Sequence, residues 1–548
     1  MGPLRYVPLG GLGEVGLNMW ALEWEGQVLV VDSGLMFPTE EMPGVDLVVP
    51  DVSWLLQRGR KVLGIFLSHG HEDHIGALPF VIRRLGAPVF GTRLTLGLAK
   101  TKLREHRVLN DADLREVRAG DRVQLGPFRV EAVAVSHSIP DALALSIETP
   151  VGRVFYTSDF KLDRDPAYGT GTDLQRMREL GDEGVLLMLG DSTNAEREGH
   201  SGSERDLIAP FEEIFRQAPG RIIVATFASN IHRLQRVVTL AHEHQRKLAV
   251  AGRSMQNSFR VGGELGYLDV PPGTLVSLEA AAHETRLVLI TAGSQGEPMS
   301  ALARFAGRRH NLLNVGRSDW VVISARPIPG NERMVNRTIN NLYRNGAARV
   351  YYSETGNVHV SGHAYRDELR EVLGALRPRH FIPVHGEYRQ LHHHAQLAVE
   401  SGVPAERVVI VEDGSVVEVR PEQLKVTTEK ASGLVFVDGL GIGDVEQVVL
   451  RDRLHMSEDG MVVVTIGVDR DSGSVRQGPD VVSRGLINPD LSQSLMDEIS
   501  STAAAAVRRC GRRPELTVIQ QAIHDSVSRL VWNRTHRRPM VIPVVNER

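Results

Sequence analysis

Residues 68–74 read S-H-G-H-E-D-H and directly follow an apolar run at residues 62–67. The run predicts a buried β-strand, which places three histidines and an aspartate on the loop at its end. Imidazole nitrogens suit Zn²⁺, and carboxylate oxygens can bind or bridge metals. A solvated polar loop is the simpler alternative, but packing does not explain so dense a cluster of donors. The motif therefore predicts a metal site, and the fold has to bring further ligands to it.

Four further donors each follow a predicted β-strand. They are Asp32, His137, Asp159 and His385, after strands predicted at residues 28–31, 128–135, 153–156 and 380–384. Alone, each is more simply a structural polar residue. Their common position at strand ends, together with the motif at residues 68–74, predicts that they converge on one site.

Composition limits the classes of protein to consider. The 548-residue chain has 42% hydrophobic and 24% charged residues, ordinary values for a globular protein of about three to four domains. Its single cysteine, Cys510, excludes a disulfide framework and a cysteine-rich zinc finger. No apolar run reaches the ~18 residues of a membrane span, and the N-terminus lacks a signal-peptide pattern. We therefore expect a cytoplasmic protein without a membrane partner.

The pattern of predicted elements changes along the chain. Residues 206–362 alternate apolar strands with helix patterns, as βα units on a parallel sheet do. A poorly periodic connector at residues 425–457 precedes a small α+β unit with a hairpin, two helices and a closing strand. The G-x-G-x-x-G run at residues 11–16 is followed by an alternating strand, so it predicts a glycine-rich turn and not a dinucleotide site.

The order of the donors resembles the metallo-β-lactamase superfamily, whose fold is an αββα sandwich. The resemblance implies that one metal is held by His69, His71 and His137, and a second by Asp73, His74 and His385. Asp159 would bridge both metals, and Asp32 would orient the ligand loop from behind. The flavodi-iron oxidoreductases of this superfamily carry glutamate at position 71, so the histidine there favours hydrolytic zinc.

The spacing resembles one branch of the superfamily. His385 lies 226 positions after Asp159, whereas small-molecule hydrolases such as glyoxalase II place the two residues close together. The intervening region resembles the domain that β-CASP nucleases insert to clamp nucleic acid over the metals. Asp191, His363 and His385 match their motifs A, B and C, and histidine in motif C is associated with RNA-directed members. Residues 190–194 and 356–363 are similar to the ribonuclease J family of bacterial 5′→3′ exoribonucleases and endoribonucleases.

This resemblance implies an α/β fold in which a Rossmann-like β-CASP domain interrupts a metallo-β-lactamase sandwich, with a small α+β domain at the C-terminus. The expected boundaries are 1–205 and 363–435 for the metallo-β-lactamase domain, 206–362 for the β-CASP domain, 436–457 for a linker and 458–548 for the C-terminal domain. By the same analogy, the C-terminal domain would mediate a homodimer or homotetramer.

The implied function is hydrolysis of RNA phosphodiesters by a two-metal mechanism, in rRNA processing and mRNA decay. The expected substrate is single-stranded RNA, preferably with a 5′-monophosphate, and the expected cofactors are two Zn²⁺ per chain, which Mn²⁺ or Mg²⁺ could replace. Membership of an RNA-degradation complex is also implied. A structural Ca²⁺ is expected at Gly44, Asp46 and Asp438, which resemble calcium positions of the family.

The residue roles follow from the same resemblance. His363 would donate a proton to the leaving 3′-oxygen, Asp191 would orient the metal site, and Asp159 would be catalytic as the bridging ligand. Substrate phosphate would lie against a segment with small residues, whose backbone N–H groups can approach an anion: His359, Val360, Ser361, Gly362 and His363. Residues 392–394, three adjacent histidines early on a predicted helix, are expected to be mostly solvated.

Two other hypotheses remain open. A small-molecule hydrolase acting on lactones or thioesters would use the same metals, but it leaves the long insertion and motifs A and B unexplained. A non-catalytic scaffold subunit of an RNA-processing complex could keep the ligands and contribute mainly architecture. Release of mononucleotides from RNA by the isolated protein separates these hypotheses from a nuclease.

Overall fold

The computed structural model describes residues 2–39, 41–431, 433–439, 441–443, 445, 447–469, 471–486 and 493–547. The chain divides into two compact units, residues 1–37 with 48–434 and residues 38–47 with 435–548. Arg470, in the predicted C-terminal hairpin turn, and residues 490–492, at the start of a predicted helix, lie outside the described residues.

The strands are β1 Leu4–Gly10, β2 Leu12–Gly13, β3 Met19–Trp24, β4 Gln27–Val31, β5 Leu47–Pro50, β6 Lys61–Phe66, β7 Val89–Gly91, β8 Leu114–Glu116, β9 Arg122–Leu125, β10 Phe128–Ala134, β11 Leu143–Thr149, β12 Gly152–Tyr156, β13 Leu187–Asp191, β14 Ile222–Ala225, β15 Lys247–Ala251, β16 Leu287–Thr291, β17 Trp320–Ile323, β18 Arg349–Tyr351, β19 His380–Val384, β20 Gly386–Glu387, β21 Ser415–Val419, β22 Leu424–Lys430, β23 Leu434–Asp438, β24 Gly441–Ile442, β25 Met461–Val468, β26 Val475–Arg484 and β27 Met540–Glu547.

The α-helices are α1 Glu72–Ile75, α2 Leu78–Leu85, α3 Arg93–Glu105, α4 Leu174–Glu183, α5 Ile208–Gln217, α6 Ile231–Glu243, α7 Arg253–Glu264, α8 Leu278–Ala281, α9 Ala301–Ala306, α10 Glu332–Arg344, α11 Arg366–Leu376, α12 Tyr388–Glu400, α13 Gln447–Asp459, α14 Gln493–Arg509 and α15 Leu516–Thr535. Short 3₁₀ helices lie at Ser53–Leu56, Leu109–Asp111, Glu204–Leu207 and Ala405–Arg407.

Two β-sheets pack face to face in the first unit. Their strand orders are β22-β21-β1-β3-β4-β6-β7-β8 and β19-β13-β12-β11-β10-β9. Successive side chains of a strand point to opposite faces, so β3 sends Trp20 and Leu22 into the space between the sheets and Met19 and Ala21 to the outer side. Phe128 on β10 meets them from the second sheet. The alternating pattern of the sequence therefore builds a sandwich with one buried central layer.

Helices cover both outer faces of the sandwich. On the first sheet, α2 and α3 bury Leu78 and Leu94 in the core cluster that contains Ile65 of β6. On the second sheet, α4, α11 and α12 pack their apolar stripes, including Leu373, against β12 and β13, including Phe155. The order helix, sheet, sheet, helix confirms the predicted αββα architecture.

The region between α4 and α11 contains a separate parallel sheet with the strand order β15-β16-β14-β17-β18. Helices α5, α6 and α7 pack on one face through Phe211, Leu234 and Phe259, and α9 and α10 pack on the other through Phe305 and Leu342. Because both faces are buried, the strands read as continuous apolar runs rather than as alternating ones. This confirms the Rossmann-like inserted domain.

The second unit contains a three-stranded sheet in which β25 pairs antiparallel with β26 and parallel with β27. Helices α14 and α15 cover one face, where Val462 and Val464 meet Ile499 and Ile523. Helix α13 occupies part of the predicted connector, and Leu450 is its buried residue. A helix with so little buried apolar surface gives no periodic signal in the sequence. The exact domain boundaries stay a prediction.

None of the helices in the described part of the chain combines the length and the hydrophobicity that a membrane span needs.

Two carboxyl groups of the first unit share a site beside β2. The Leu12 N–H donates to Asp413 Oδ1 at 3.1 Å. Burial and the neighbouring Glu14 carboxylate raise the pKa of Asp413, and burial also raises the pKa of Glu14. In the glycine-rich run at residues 11–16, Glu14 is therefore one half of a proton-binding pair, which the sequence did not reveal.

This pair makes stability depend on pH. A raised carboxyl pKa means that the folded chain holds a proton that the unfolded chain releases above about pH 3.9, so the free energy of unfolding falls as pH rises. We expect Asp413→Asn to flatten the decrease in melting temperature between about pH 5 and about pH 8. Thermal unfolding of the wild type, of Asp413→Asn and of a control at the exposed Asp269 (Asp269→Asn) tests this. Parallel curves for all three proteins would contradict it.

Candidate metal centre

The predicted donors lie at the ends of β4, β6, β10, β12 and β19 in the first unit. Strand β13 lies between β12 and β19 and pairs with both in parallel, so Asp191 at its end lies opposite Val384, beside the last donor. Parallel pairing brings carboxyl ends of strands to one edge, which is why residues 226 positions apart in sequence meet here.

The first donor group consists of His69, His71, His137 and Asp159, whose ligand atoms all lie within 4.8 Å of one another. His71 Nδ1 lies 3.1 Å from both His69 Nε2 and His137 Nε2. The other ring nitrogen of His137 donates to the Gly362 carbonyl at 2.7 Å, and His71 Nε2 lies 3.2 Å from Ser138 Oγ. Because a carbonyl can only accept, the Gly362 contact leaves a lone pair on the inward nitrogen of His137.

Burial keeps these three rings neutral. It lowers the pKa of His71 to about 4, although Asp73 and Asp159 oppose the shift. The pKa values of His69 and His137 lie well below the ordinary value, because burial and the neighbouring histidines both disfavour a positive ring. Three converging neutral imidazoles are the form that binds a divalent cation, so this group fits a metal.

The second donor group consists of Asp73, His74, Asp159 and His385, again within 4.8 Å. His385 Nε2 lies 3.5 Å from Asp73 Oδ2 and 3.4 Å from Asp159 Oδ2. His74 Nε2 lies 3.2 Å from Asp159 Oδ2. Burial opposes the charge on His385, but Asp159 and the other carboxylates outweigh it and raise its pKa to about 10. The rings bind a proton tightly here, and a divalent cation would compete for the same nitrogens.

Asp159 lies at the centre of both groups. Its Oδ2 is within 4.0 Å of a ring nitrogen of each of five histidines: His69, His74, His137, His363 and His385. Its Oδ1 is buried and has no hydrogen-bond partner among the described residues. Burial would raise the pKa of Asp159, but His385 and His74 outweigh it and hold the pKa below the usual range. An ionised carboxylate with a free oxygen between two donor groups suits a bridging ligand.

Asp32 supports the ligand loop from behind. Its carboxylate accepts from the Ser68 N–H at 2.8 Å and from the Tyr156 hydroxyl at 3.1 Å, and its Oδ2 lies 2.8 Å from His74 Nδ1. This last contact directs Nε2 of His74 into the site. The family resemblance predicts this role for Asp32. Nothing in the sequence around Tyr156 indicates its hydrogen bond to Asp32.

Three non-glycine residues at the site have left-handed backbone conformations. The φ angles are 61° for Asp32, 53° for Ser158 and 59° for His385. Such conformations cost on the order of 1–3 kcal/mol each and persist only where surrounding contacts fix them. The contacts around the site therefore hold these three residues in conformations that lower the stability of the fold.

Asp191 and His363 form the third group, together with Asp159 and His385. His363 Nδ1 lies 2.8 Å from Asp191 Oδ2, while His363 Nε2 lies 4.0 Å from Asp159 Oδ2. Burial lowers the pKa of His363, but Asp191 and Asp159 outweigh it, and the pKa lies above the ordinary value. Asp191 thus holds His363 through Nδ1, and Nε2 of the ring faces the donor groups.

The predicted phosphate-binding segment borders this group. Ser361 Oγ accepts from Asn194 Nδ2 at 2.9 Å and from the His363 N–H at 3.1 Å, so its own hydroxyl proton is free to donate elsewhere. A Cβ on Gly362 would lie 2.8 Å from the His137 ring, so only glycine allows this close approach. Val360 is buried and His359 is half-buried. The segment lies beside the donor groups, and its role in binding phosphate stays a prediction.

The structure corrects the expectation for one of the three adjacent histidines. His392 is exposed and His393 half-buried, but His394 is buried. Its Nδ1 lies 3.0 Å from Ser192 Oγ, and its ring packs against Phe381. Helical geometry places His394 on the face of α12 that covers β19. Three adjacent histidines in a sequence do not indicate which of them faces inward.

Two further residues were missed. Asn18 Nδ2 lies 3.2 Å from His74 Nε2 and donates to Asp73 Oδ2 at 3.3 Å. Thr193 Oγ1 lies 2.7 Å from His385 Nδ1. Thr193 is part of the G-D-S-T-N run, so its neighbour Asp191 was a signal, whereas Asn18 had none.

The predicted calcium residues lie in the second unit. Asp438 Oδ2 accepts from Arg453 at 2.6 Å, and the same guanidinium donates to the Pro43 carbonyl at 3.2 Å. Asp46 Oδ2 accepts from the Gly439 N–H at 2.8 Å, and a Cβ on Gly44 would lie 2.8 Å from Arg453. A cation would have to displace the arginine, and the calcium site stays a prediction.

A cavity of about 510 Å³ in the first unit opens beside His137. Aromatic rings line it, and Tyr168 and His232 stack with centroids 5.6 Å apart and planes 17° from parallel. Lys161 also lines the cavity. Burial lowers the pKa of His232 to about 4, so this ring offers a neutral surface.

Comparison with known proteins identifies related families. Four family models match the chain: the metallo-beta-lactamase superfamily at residues 12–224, the ribonuclease J beta-CASP domain at 219–342, the Zn-dependent metallo-hydrolase RNA specificity domain at 352–410 and the ribonuclease J C-terminal domain at 448–548. Among solved structures, a protein of unknown function from Enterococcus faecalis V583 shares the fold, with a TM-score of 0.52 at 15% identity, over 78% of this chain and 100% of that one.

Curated relatives match over nearly their whole length. Ribonuclease J of Thermus thermophilus is 40% identical, covering 99% of this chain and 95% of the relative. Ribonuclease J2 of Bacillus subtilis is 36% identical, with 99% and 98% covered. Ribonuclease J 1 of Streptococcus pyogenes is 37% identical, with 98% and 96% covered. On this full-length similarity, the chain belongs to the ribonuclease J family.

Proposed function

We propose that the chain is a metal-dependent ribonuclease that hydrolyses phosphodiester bonds in single-stranded RNA. The observation that carries the proposal is the pair of donor groups that share Asp159, with the ring of His363 beside them. A divalent cation is required by this chemistry, and we infer two Zn²⁺, which Mn²⁺ or Mg²⁺ could replace. When bound, such cations supply Lewis acidity toward a phosphate oxygen and a water of lowered pKa.

The residues around the donor groups then have separate tasks. The Ser361 hydroxyl is free to donate to a phosphate oxygen, since its own acceptor positions are filled. His363 is oriented by Asp191 through Nδ1 and can give its Nε2 proton to the leaving 3′-oxygen. Gly362 keeps His137 in place by accepting from its ring.

The surroundings favour RNA over a small ester. Beyond the donor groups, the stacked Tyr168 and His232 offer a flat face on which a base can lie. Lactones and thioesters need neither this cavity nor an inserted domain. A scaffold without activity would not need His363 held by Asp191 beside the donor groups.

The finer points of the proposal come from the family. We infer that cleavage runs 5′→3′ from a 5′-monophosphate and also occurs internally, in RNA maturation and decay. We also infer that the chain works in the cytoplasm as a homodimer or homotetramer through its C-terminal domain, within an RNA-degradation complex.

The test is incubation of purified protein with 5′-monophosphorylated RNA labelled at either end, with and without a chelator. We expect mononucleotides from the 5′-label, slower loss of a 5′-triphosphate substrate, and no cleavage in chelator until divalent metal is restored. Parallel assays with a lactone and a thioester control for the small-molecule alternative. Metal-dependent turnover of those esters with intact RNA would overturn the proposal.

A further inference from the structure

The hydroxyl of Thr193 lies between a metal donor and the carboxylate of Asp191. Thr193 Oγ1 is 2.7 Å from His385 Nδ1 and 2.8 Å from Asp191 Oδ1. The direct distance from His385 Nδ1 to Asp191 Oδ1 is longer, at 3.4 Å. The hydroxyl is therefore the close contact of His385 on the side away from the donor group.

The direction of these hydrogen bonds follows from what each group can do. An ionised carboxylate only accepts, so the Thr193 O–H donates to Asp191 Oδ1. The hydroxyl oxygen then has to accept from the ring, which places a proton on Nδ1 of His385. Nε2, which faces Asp73 Oδ2 and Asp159 Oδ2, is left to bind a cation.

The backbone around Thr193 holds the hydroxyl in this position. The Thr193 N–H donates to Asp191 Oδ1 at 3.0 Å, and the Thr193 carbonyl accepts from Gln390 Nε2 at 2.8 Å. Because Oδ1 is occupied by Thr193, the other oxygen of Asp191 remains for His363. The Asp191 carboxylate thus contacts His385 through Thr193 and His363 directly, each with a different oxygen.

We propose that Thr193 is a positioning residue that fixes the tautomer and orientation of His385 toward a divalent cation, while keeping Asp191 engaged with His363. This rests on the proposed metal-dependent function and names a residue on which that centre depends. Partners of this kind behind metal ligands typically change metal affinity by about 10–100-fold.

The variants Thr193→Ala and Thr193→Ser differ by a single oxygen atom and test the hydroxyl directly. We expect Thr193→Ala to weaken Zn²⁺ binding about tenfold or more at the site that contains His385 and to leave the other site unchanged. Thr193→Ser should bind Zn²⁺ about as tightly as the wild type. The measurement is competition of metal-depleted protein with a chromophoric zinc chelator. If Thr193 only packed the loop, its loss would instead weaken Zn²⁺ binding at both donor groups together.

Thr101→Ala is the matched control, because the Thr101 hydroxyl donates to the Gly97 carbonyl of its own helix, α3, at 3.4 Å and lies away from the donor groups. Zinc binding by this control is expected to equal that of the wild type. Equal zinc affinity in Thr193→Ala and Thr193→Ser would overturn the role of Thr193. Failure of the wild type itself to bind Zn²⁺ would instead remove the proposed function, so the two failures are distinguishable.

Discussion

Replacing Asp159 with alanine is expected to reduce RNA hydrolysis by more than the roughly 100-fold that loss of an outer partner of a metal ligand costs. The reason is its position, since one oxygen of this carboxylate faces the ring nitrogens of both donor groups. Without it, the imidazoles lose the negative charge that lets two cations lie close together. Binding of single-stranded RNA should stay near the wild-type level, because the phosphate and base contacts proposed above lie on other residues.

Single-turnover cleavage, fluorescence anisotropy with labelled RNA and metal analysis check this expectation together. Asp182→Ala is the control, since the Asp182 side chain is 77% exposed and, among the residues that the structure describes, pairs only with Arg377. We expect reduced metal content in Asp159→Ala and full content in the control. An unchanged cleavage rate in Asp159→Ala would refute the site.

Local signals in the sequence predicted the buried strands and the donors at their ends, whereas the sandwich and the division of the donors into two groups came from the family resemblance. A strand followed at once by donors is readable at residues 62–74, and the apolar runs of β14 and β16 are readable as buried parallel strands. The convergence of His385 with Asp73 needed the family resemblance, because no local pattern spans 312 positions.

What sequence could not predict was mostly the supporting contacts. The Asn18 and Tyr156 contacts depend on how separate strands lie side by side, so neither residue carries a signal in its own neighbourhood. The burial of His394 depends on which face of α12 covers the sheet. The pairing of Glu14 with Asp413 joins residues from opposite ends of the first unit, which puts it beyond any periodicity argument.

Replacing His363 with alanine is expected to lower the cleavage rate by about 10²–10⁴-fold, the usual contribution of a positioned proton donor. Metal content should stay near that of the wild type, because His363 Nδ1 bonds Asp191 and its Nε2 lies 4.0 Å from Asp159. His392→Ala, at an exposed histidine of α12, is the control and should cleave normally. Single-turnover rates and metal analysis of the three proteins provide the comparison.

A substrate with sulfur in place of the leaving 3′-oxygen distinguishes proton donation from phosphate binding. A thiolate leaves without a proton, so His363→Ala should lose much less activity on this substrate than on ordinary RNA. Asp191→Asn should show the same selectivity in weaker form, because a neutral amide no longer raises the pKa of His363 as the Asp191 carboxylate does. If His363→Ala loses the same factor on both substrates, the ring stabilises charge on the phosphate and does not protonate the leaving group.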